Sequence, residues 1–419
     1  MFRFVHTADI HLDSPLRSLL VRDPELSALI RVATRSAFEG IIDLCLNEQV
    51  NALIIAGDLY DGDQRSMKTA AFLSHQMRRL EEAGIRVFMI RGNHDAESKI
   101  TRHLDLPANV HVYTGHGGVE ELPELGVAIH GVSFSGRHAP QSLLPKYRPP
   151  LPGLVNIGIM HTSLAGDDRH DDYAPCSLND LTGHGYDYWA LGHIHKRKVH
   201  AQNPFVVMPG IPQGRDIGEA GQKSVTLVEI SDAGIALHER PVAIAEFHRI
   251  DVCLDAADDW QNALGALRGA LERARNDVSA EHTICRVALR GRTSLGWRLR
   301  RDGDLLLAKA REAANEIGGV WIEQIENNVV PPAPAAASIG ADPLEELAVL
   351  MQEVSKDRAF LNDAVSYLDE MVRALPSELR DRFGSGQSGS EAILTHLLAD
   401  GIADVIAALK RGHSGSLPN

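Results

Sequence analysis

The chain is short of cysteine, of positive charge and of long apolar runs, and each shortage excludes something. Its 4 cysteines, Cys45, Cys176, Cys253 and Cys285, are scattered among 419 residues without a CxxC pair. That excludes a zinc ribbon and a disulfide framework, and it fits reduced, packed thiols. The formal net charge is -14, so the chain does not hold nucleic acid through a strongly basic surface. A protein that grips phosphates through bound cations remains compatible, because local charge then outweighs the total. No apolar run approaches the ~18 residues of a membrane span. The opening MFRFVHTA goes straight into a strand-like segment without a signal-peptide pattern, so the cytoplasm is the expected compartment. Hydrophobic residues at 44% and charged residues at 23% are ordinary for a globular protein. A length of 419 residues implies two or three domains.

Residues 1–245 alternate strand-like and helix-like segments. Phe2 to Ala8 reads as a first strand. Asp23-Pro24 starts a helix running to about Glu48, with Pro at the first helical position. ALIIA at Ala52 to Ala56 reads as a buried central strand ended by Gly57 and Asp58. A helix from Gln64 to Ala83 and a strand from Ile85 to Ile90 complete a βαβαβ unit with a parallel sheet. Further on, Val127 to Val132, Leu154 to Met160, Tyr186 to Leu191, Phe205 to Met208 and Ser224 to Ile230 look like strands, with one short helix near Ser177 to Leu181. An α/β fold follows, a two-sheet β-sandwich flanked by helices. Residues 246–330 read as a small α+β domain, with Asp258 as the N-cap of its first helix. Residues 331–343, rich in Pro and Ala, form a linker, and 344–411 a helical segment suited to docking on the body or on a partner.

Polar motifs follow the strand-like runs. They are Asp9-Ile10-His11; Gly57-Asp58-Leu59-Tyr60-Asp61; Gly92-Asn93-His94-Asp95; His161; and Gly192-His193-Ile194-His195. Each projects from a strand end, so all can converge on one sheet edge. Carboxylate, imidazole and amide oxygen without thiolate favour Mn, Fe or Zn. The one-residue spacing of Asp9 and His11, and of His193 and His195, puts both members on one side of an extended chain. The ligands outnumber what one structural ion needs. Two cations about 3.5–4 Å apart, sharing Asp58, would clamp the attacking and leaving oxygens of a phosphoryl group. Arg91 and Arg215 stand close enough to these motifs in sequence to meet phosphate. His6 is open between a partner of the ligands and a packed strand histidine. Arg298, Arg300 and Arg301 are open between a solvated helix face and a nucleic-acid contact.

The ordered set D-x-H, G-D-x-x-D, G-N-H-D, H and G-H-x-H resembles the calcineurin-like metallophosphoesterases. HTADIHLDSPL, GHIHK and the segment PGIPQGRDIGE look like the SbcD-type and, more closely, the YhaO-type DNA repair exonucleases. The resemblance implies a four-layer metallophosphoesterase sandwich with a small capping domain and C-terminal helices. It implies that Asp9, His11 and His195 bind one metal, that Asn93, His161 and His193 bind the other, and that Asp58 bridges them. His94 would protonate the leaving oxygen and Asp95 would orient or charge His94. Asp61 would lie beside the ligands; some archaeal relatives carry a histidine at its position, and this chain does not. A Mn²⁺-dependent 3′ to 5′ exonuclease acting on DNA is implied, with endonuclease activity as a further option. So is an SMC-like coiled-coil ATPase partner and, often, a homodimer. The competing expectations are a phosphodiesterase or phosphatase for small nucleotides, and a regulatory subunit of an ATPase.

Overall fold

The computed structural model describes residues 1–14, 24–60, 67–97, 106–136, 139–164, 173–330, 343–374 and 387–410. Asp23, Asp61 and the linker 331–342 therefore lie outside the described residues. The chain divides into two compact units. One comprises Met1–Arg249, Arg273–Arg286 and Gly319–Glu323; the other comprises Ile250–Glu272, Val287–Gly318 and Gln324–Asn419.

The first unit opens with β1 (Phe2–Thr7), α1 (Pro24–Asn47), β2 (Ala52–Ala56), α2 (Met67–Glu82), β3 (Arg86–Ile90) and β4 (Val110–Val112). Strands β1 to β4 are parallel neighbours in chain order, as the βαβαβ pattern predicts. A second run follows with β5 (Gly118–Leu122), β6 (Val127–Gly131), β7 (Val155–His161), α3 (Leu178–Gly183), β8 (Tyr188–Gly192), β9 (Lys198–Gln202) and β10 (Phe205–Met208). These strands form a second sheet in the order β5-β6-β7-β8-β10-β9. Then β11 (Ser224–Ser231) returns to pair antiparallel with β1, and β12 (Gly234–Pro241) closes that edge of the first sheet.

Burial on both faces explains the apolar strands. In β2, Ala52, Ile54 and Ala56 face the second sheet and pack with Ile129, Ile157, Ile159, Tyr188 and Ala190. Leu53 and Ile55 point the other way, against Phe38, Ile41 and Cys45 of α1 and Leu73, Met77 and Leu80 of α2. The outer face of the second sheet carries Trp189, Leu191 and Met208, covered by Leu181 of α3 and by Tyr147 and Phe134 from loops. The four layers of the expected sandwich are thus present, with the fourth mostly loop. Strands β4, β5, β9 and β12 go beyond the sequence expectation. They lie at or next to sheet edges and are largely half-buried or exposed, so they lack a sustained apolar run.

His6 ties the two sheets together. Its Nε2 lies 3.1 Å from the carbonyl of Leu191, which can only accept, so Nε2 carries the proton. Its Nδ1, 2.9 Å from Tyr188, then accepts from the phenol. Burial pushes its pKa down to about 3, helped by the charge of Arg197 and opposed by the Leu191 carbonyl. His6 is therefore the packed strand histidine of the two alternatives. The unfolded chain binds a proton at His6 below about pH 6.5, and the folded chain does not until about pH 3. The stabilisation is present in full above the unfolded pKa and is lost as pH falls. It amounts to on the order of 4 kcal/mol across the window, about 2 kcal/mol of it by pH 5. Urea melts at about pH 7 and pH 5 should show a shallower loss in His6→Gln than in the unsubstituted protein. Equal slopes would exclude His6 as the group responsible.

The rest of the chain supplies β13 (Ala245–Cys253), α4 (Trp260–Asn276), β14 (His282–Arg292), α5 (Gly296–Arg301), α6 (Gly303–Ile317) and β15 (Val320–Val330), with sheet order β13-β14-β15. Asp259, not Asp258, caps α4: its Oδ1 accepts from the N–H of Asn262 at 2.8 Å. The second unit continues with α7 (Pro343–Val354), α8 (Arg358–Ala374) and α9 (Gln387–Leu409). Helix α9 packs on α5, α7 and α8. Arg300 pairs with Asp400 at 3.2 Å and Asp404 at 2.9 Å, and Lys410 lies 5.0 Å over the ring of Trp297. Arg300 thus binds α9, Arg301 pairs with Asp302 at 2.7 Å, and Arg298 lies over Trp260 at 4.9 Å. Among the described residues no helix is long and apolar enough to cross a membrane.

Candidate metal centre

Every predicted ligand leaves a strand at the same edge of the sandwich. Asp9 and His11 follow β1, Asp58 follows β2, Asn93 follows β3, His161 ends β7, and His193 and His195 follow β8. The loops after β1 and β2 run side by side. The N–H groups of Asp9, His11 and Leu12 donate to the carbonyls of Gly57, Asp58 and Leu59 at 3.0, 3.1 and 2.9 Å. Ile10 and Leu12 fill the core while Asp9 and His11 turn to the site. The one-residue spacing works as expected, but the backbone is not extended. Asp9, His11, Asp58 and His193 all have positive φ, at 52°, 46°, 52° and 104°. Asp, Asn and His tolerate that region best among side-chain-bearing residues, at a cost of about 1–3 kcal/mol each.

Two glycines make room. Gly57 has φ 92°, and a Cβ there would stand 2.6 Å from Nδ1 of His161. At Gly92 a Cβ would collide with the carboxylate of Asp58. Any side chain at either position would displace a ligand.

The donor atoms form two groups, Asp9–His11–His195 and Asp58–His161–His193, each with its atoms within 4.8 Å of one another. Nε2 of His11 faces Nε2 of His195 at 3.2 Å. Nε2 of His161 lies 3.0 Å from Oδ1 of Asn93 and 3.3 Å from Oδ2 of Asp58. Ligands at about 2.0–2.2 Å from a cation in tetrahedral or octahedral geometry sit roughly 3.0–3.4 Å apart. These three pairs therefore already stand at co-ligand spacing, and the donor set of each group fits a divalent cation. His161 donates from Nδ1 to the carbonyl of Ala56 at 2.9 Å, which aims Nε2 at the site.

The electrostatics agree. Burial works against a charged His161, but Asp58 and Asp9 outweigh it and push its pKa up to about 9. Burial likewise opposes the charge of Asp58, and His161, His11 and His94 hold its carboxyl below the ordinary range. Burial raises Asp9, against the charges of His161 and His195 and with that of Asp58. Charges from both groups act on Asp9 and on Asp58, so the groups adjoin. With protein groups alone, protons must balance these buried carboxylates; a cation does so in their place.

The remaining predicted residues take varied positions. His94 lies beside the ligands: its ring is edge-on to His11 at 5.1 Å, and its backbone N–H donates to Oδ1 of Asp58 at 3.0 Å. Asp95 is buried, and its carboxylate accepts from the backbone N–H groups of Leu59, Tyr60 and Gly92 at 3.2, 2.9 and 3.0 Å. It clamps the loops after β2 and β3 through these backbone groups, and not through the imidazole of His94. Burial and the charge of Asp58 push its pKa up to about 6 against those three N–H groups. Arg91 donates its backbone N–H to Ser133 at 2.9 Å, and its buried Nε has no hydrogen-bond partner among the described residues. Arg215 pairs with Glu219 at 2.8 Å.

Glu219 is the residue the motifs miss. Its Oε1 lies 2.6 Å from Nδ1 of His195. The available signal was an acidic residue at the end of PGIPQGRDIGE, shortly after the last ligand motif. Asp13 is a second omission: it holds the loop after His11 through Arg35 at 2.7 and 2.6 Å and through Thr69.

Residues 2–197 match the calcineurin-like phosphoesterase family, and residues 247–330 match the middle domain of the metallophosphoesterase YhaO. The chain is 37% identical over 238 residues to the uncharacterized metallophosphoesterase YhaO of Bacillus subtilis, covering 56% of this chain and 58% of that protein. It is 25% identical over 275 residues to the DNA double-strand break repair protein Mre11 of Methanopyrus kandleri, covering 59% of this chain and 54% of that protein. Against a subunit of the nuclease SbcCD of Escherichia coli it is 22% identical over 272 residues, covering 55% of this chain and 65% of that protein. The chain thus spans less than two thirds of the length of each of these relatives.

Proposed function

Because the chain carries a calcineurin-like phosphoesterase domain over residues 2–197, we propose that it is a two-metal phosphodiesterase that hydrolyses DNA, as a Mn²⁺-dependent 3′ to 5′ exonuclease in DNA repair. The observation that carries the chemistry is the adjoining pair of ligand groups, Asp9–His11–His195 and Asp58–His161–His193. Asn93 completes the second group, and Asp58 serves both cations. When bound, two divalent cations supply an activated water near neutral pH and offset the charge that develops on the phosphoryl group. The protein's own groups do the rest. Arg91, which follows β3 just before Asn93, offsets charge on the phosphoryl group. His94, outside both ligand groups, protonates the leaving oxygen, and Asp95 holds the loop that carries it.

DNA as substrate is supported by the names of two relatives, a double-strand break repair protein and a nuclease subunit. An SMC-like coiled-coil ATPase is the partner we favour, since the second of these is one part of a larger nuclease. Helix α8 carries Tyr367 and Met371 on its surface, 72% and 69% exposed, where a partner helix would pack. A homodimer belongs to the same reading. The acidic net charge of -14 favours a second reading, a phosphodiesterase for small nucleotides.

The test is the purified protein with Mn²⁺ against end-labelled duplex DNA and against bis-p-nitrophenyl phosphate. Release of nucleotides from the 3′ end, abolished by chelation, is expected. Hydrolysis of the small ester with DNA left intact would shift the assignment to small nucleotides.

A further inference from the structure

We propose that Glu219, locked by Arg215, is a positioning residue that serves the Asp9–His11–His195 subsite alone and sets its affinity for metal. The inference rests on the two-metal reading above. Oε1 of Glu219 lies 2.6 Å from Nδ1 of His195, and a carboxylate only accepts, so Nδ1 carries the proton. That leaves the lone pair of Nε2 for a cation, on the side where Nε2 of His11 stands 3.2 Å away. The carboxylate cannot swing. Its Oε2 accepts from the backbone N–H of Arg215 at 2.8 Å, and its Oε1 accepts from Nη2 of Arg215 at 2.8 Å.

The same arginine reaches the other histidine's loop. Nη1 of Arg215 lies 3.4 Å from Oγ of Ser14, whose backbone N–H donates to the carbonyl of His11 at 3.1 Å. One brace therefore touches both imidazole-bearing segments of one subsite. The segment bearing it is itself fixed. Gln213 is fully buried and donates to the carbonyl of Ala245 at 2.8 Å, Ile217 is buried in an apolar cluster, and the N–H of Glu219 donates to the carbonyl of Asp216 at 3.0 Å.

In the second subsite one histidine has a different kind of partner. His161 is held by the carbonyl of Ala56, a neutral backbone group. A carboxylate partner makes an imidazole a stronger donor to metal than a carbonyl does, and loss of such a partner typically costs about 10–100-fold in metal affinity. The brace thus belongs to the subsite of His195, and it gives Arg215 a role through Glu219.

Calorimetric titration of the full chain with Mn²⁺ alone tests this, with metal content by elemental analysis and melting temperature in chelator as a folding control. In Glu219→Ala one of the two ions should bind about 10–100-fold more weakly while the other keeps its affinity. Glu219→Gln, whose amide oxygen still accepts from Nδ1, should recover part of the loss. Two ions bound to Glu219→Ala at unchanged affinity would overturn the proposal. So would an equal loss at both subsites that Glu219→Gln does not relieve, since Glu219 would then be a general support of the fold. Fewer than two ions on the unsubstituted protein would remove the two-metal reading itself, and this inference with it.

Discussion

His94→Ala is expected to keep both metal ions and to lose DNA cleavage by about 10²–10⁴-fold, the usual worth of a general acid. The ring of His94 belongs to neither ligand group, although it lies edge-on to His11 at 5.1 Å. Its hydrogen bond to Asp58 comes from the backbone, whose N–H donates to Oδ1 at 3.0 Å and survives the substitution. The loss should depend on the leaving group. An alkoxide of a DNA sugar needs a proton to depart, and a nitrophenolate does not. The variant should therefore be impaired far more on DNA than on bis-p-nitrophenyl phosphate. Steady-state rates on both substrates, with metal content measured in parallel, decide the matter. Loss of metal, or equal impairment on both esters, would show that the imidazole does not act on the leaving oxygen.

Much of this site was legible because the chemistry sits at strand ends. ALIIA reads as buried from its composition, and it is buried throughout, between two parallel neighbours. The turn that follows needs Gly57, and the first polar residue after it is Asp58. The same grammar of apolar run, glycine and ligand recurs before Asn93 and His193. What stayed hidden depends on contacts made across the fold. Glu219 meets His195 from 24 residues away, and nothing in its spacing marks a partner. Asp95 looks like the companion of its neighbour His94, yet its hydrogen bonds run to Leu59 and Tyr60, 36 and 35 residues back, and to Gly92. Arg300 reads as a surface cation until α9, 100 residues on, brings Asp400 to it. The positive φ at Asp9, His11 and His193 was likewise invisible, because the residue types that tolerate it are also the ones that bind metal. Edge strands β9 and β12 escaped for a simpler reason: neither is buried enough to need an apolar sequence.

Asp58→Asn should have a broad effect, because it is expected to weaken both metals together. Asp58 is 2% exposed, its Oδ2 lies 3.3 Å from His161, and its Oδ1 holds the N–H of His94. Asparagine is nearly the same size and tolerates the φ of 52° that position 58 adopts, so the loop should keep its path. What changes is charge. The amide keeps one weak oxygen donor and turns its other end into an N–H group, which a cation repels. Loss of a partner behind a ligand already costs about 10–100-fold in affinity, so loss of a shared carboxylate should cost on the order of 100-fold or more at each subsite. The effect is readable without any turnover assay. Metal at 100-fold excess over its dissociation constant adds about 2.7 kcal/mol per bound ion to the stability of the folded chain, and both increments should largely vanish in Asp58→Asn. Glu219→Ala, by contrast, should retain the increment due to the second ion. Melting temperatures with and without Mn²⁺ for the two variants therefore separate a carboxylate shared by both subsites from one that braces a single histidine. If Asp58→Asn keeps one ion at full affinity, Asp58 belongs to one subsite only, and the bridge between the two groups must be sought in Asp9, the other buried carboxylate on which charges from both groups act.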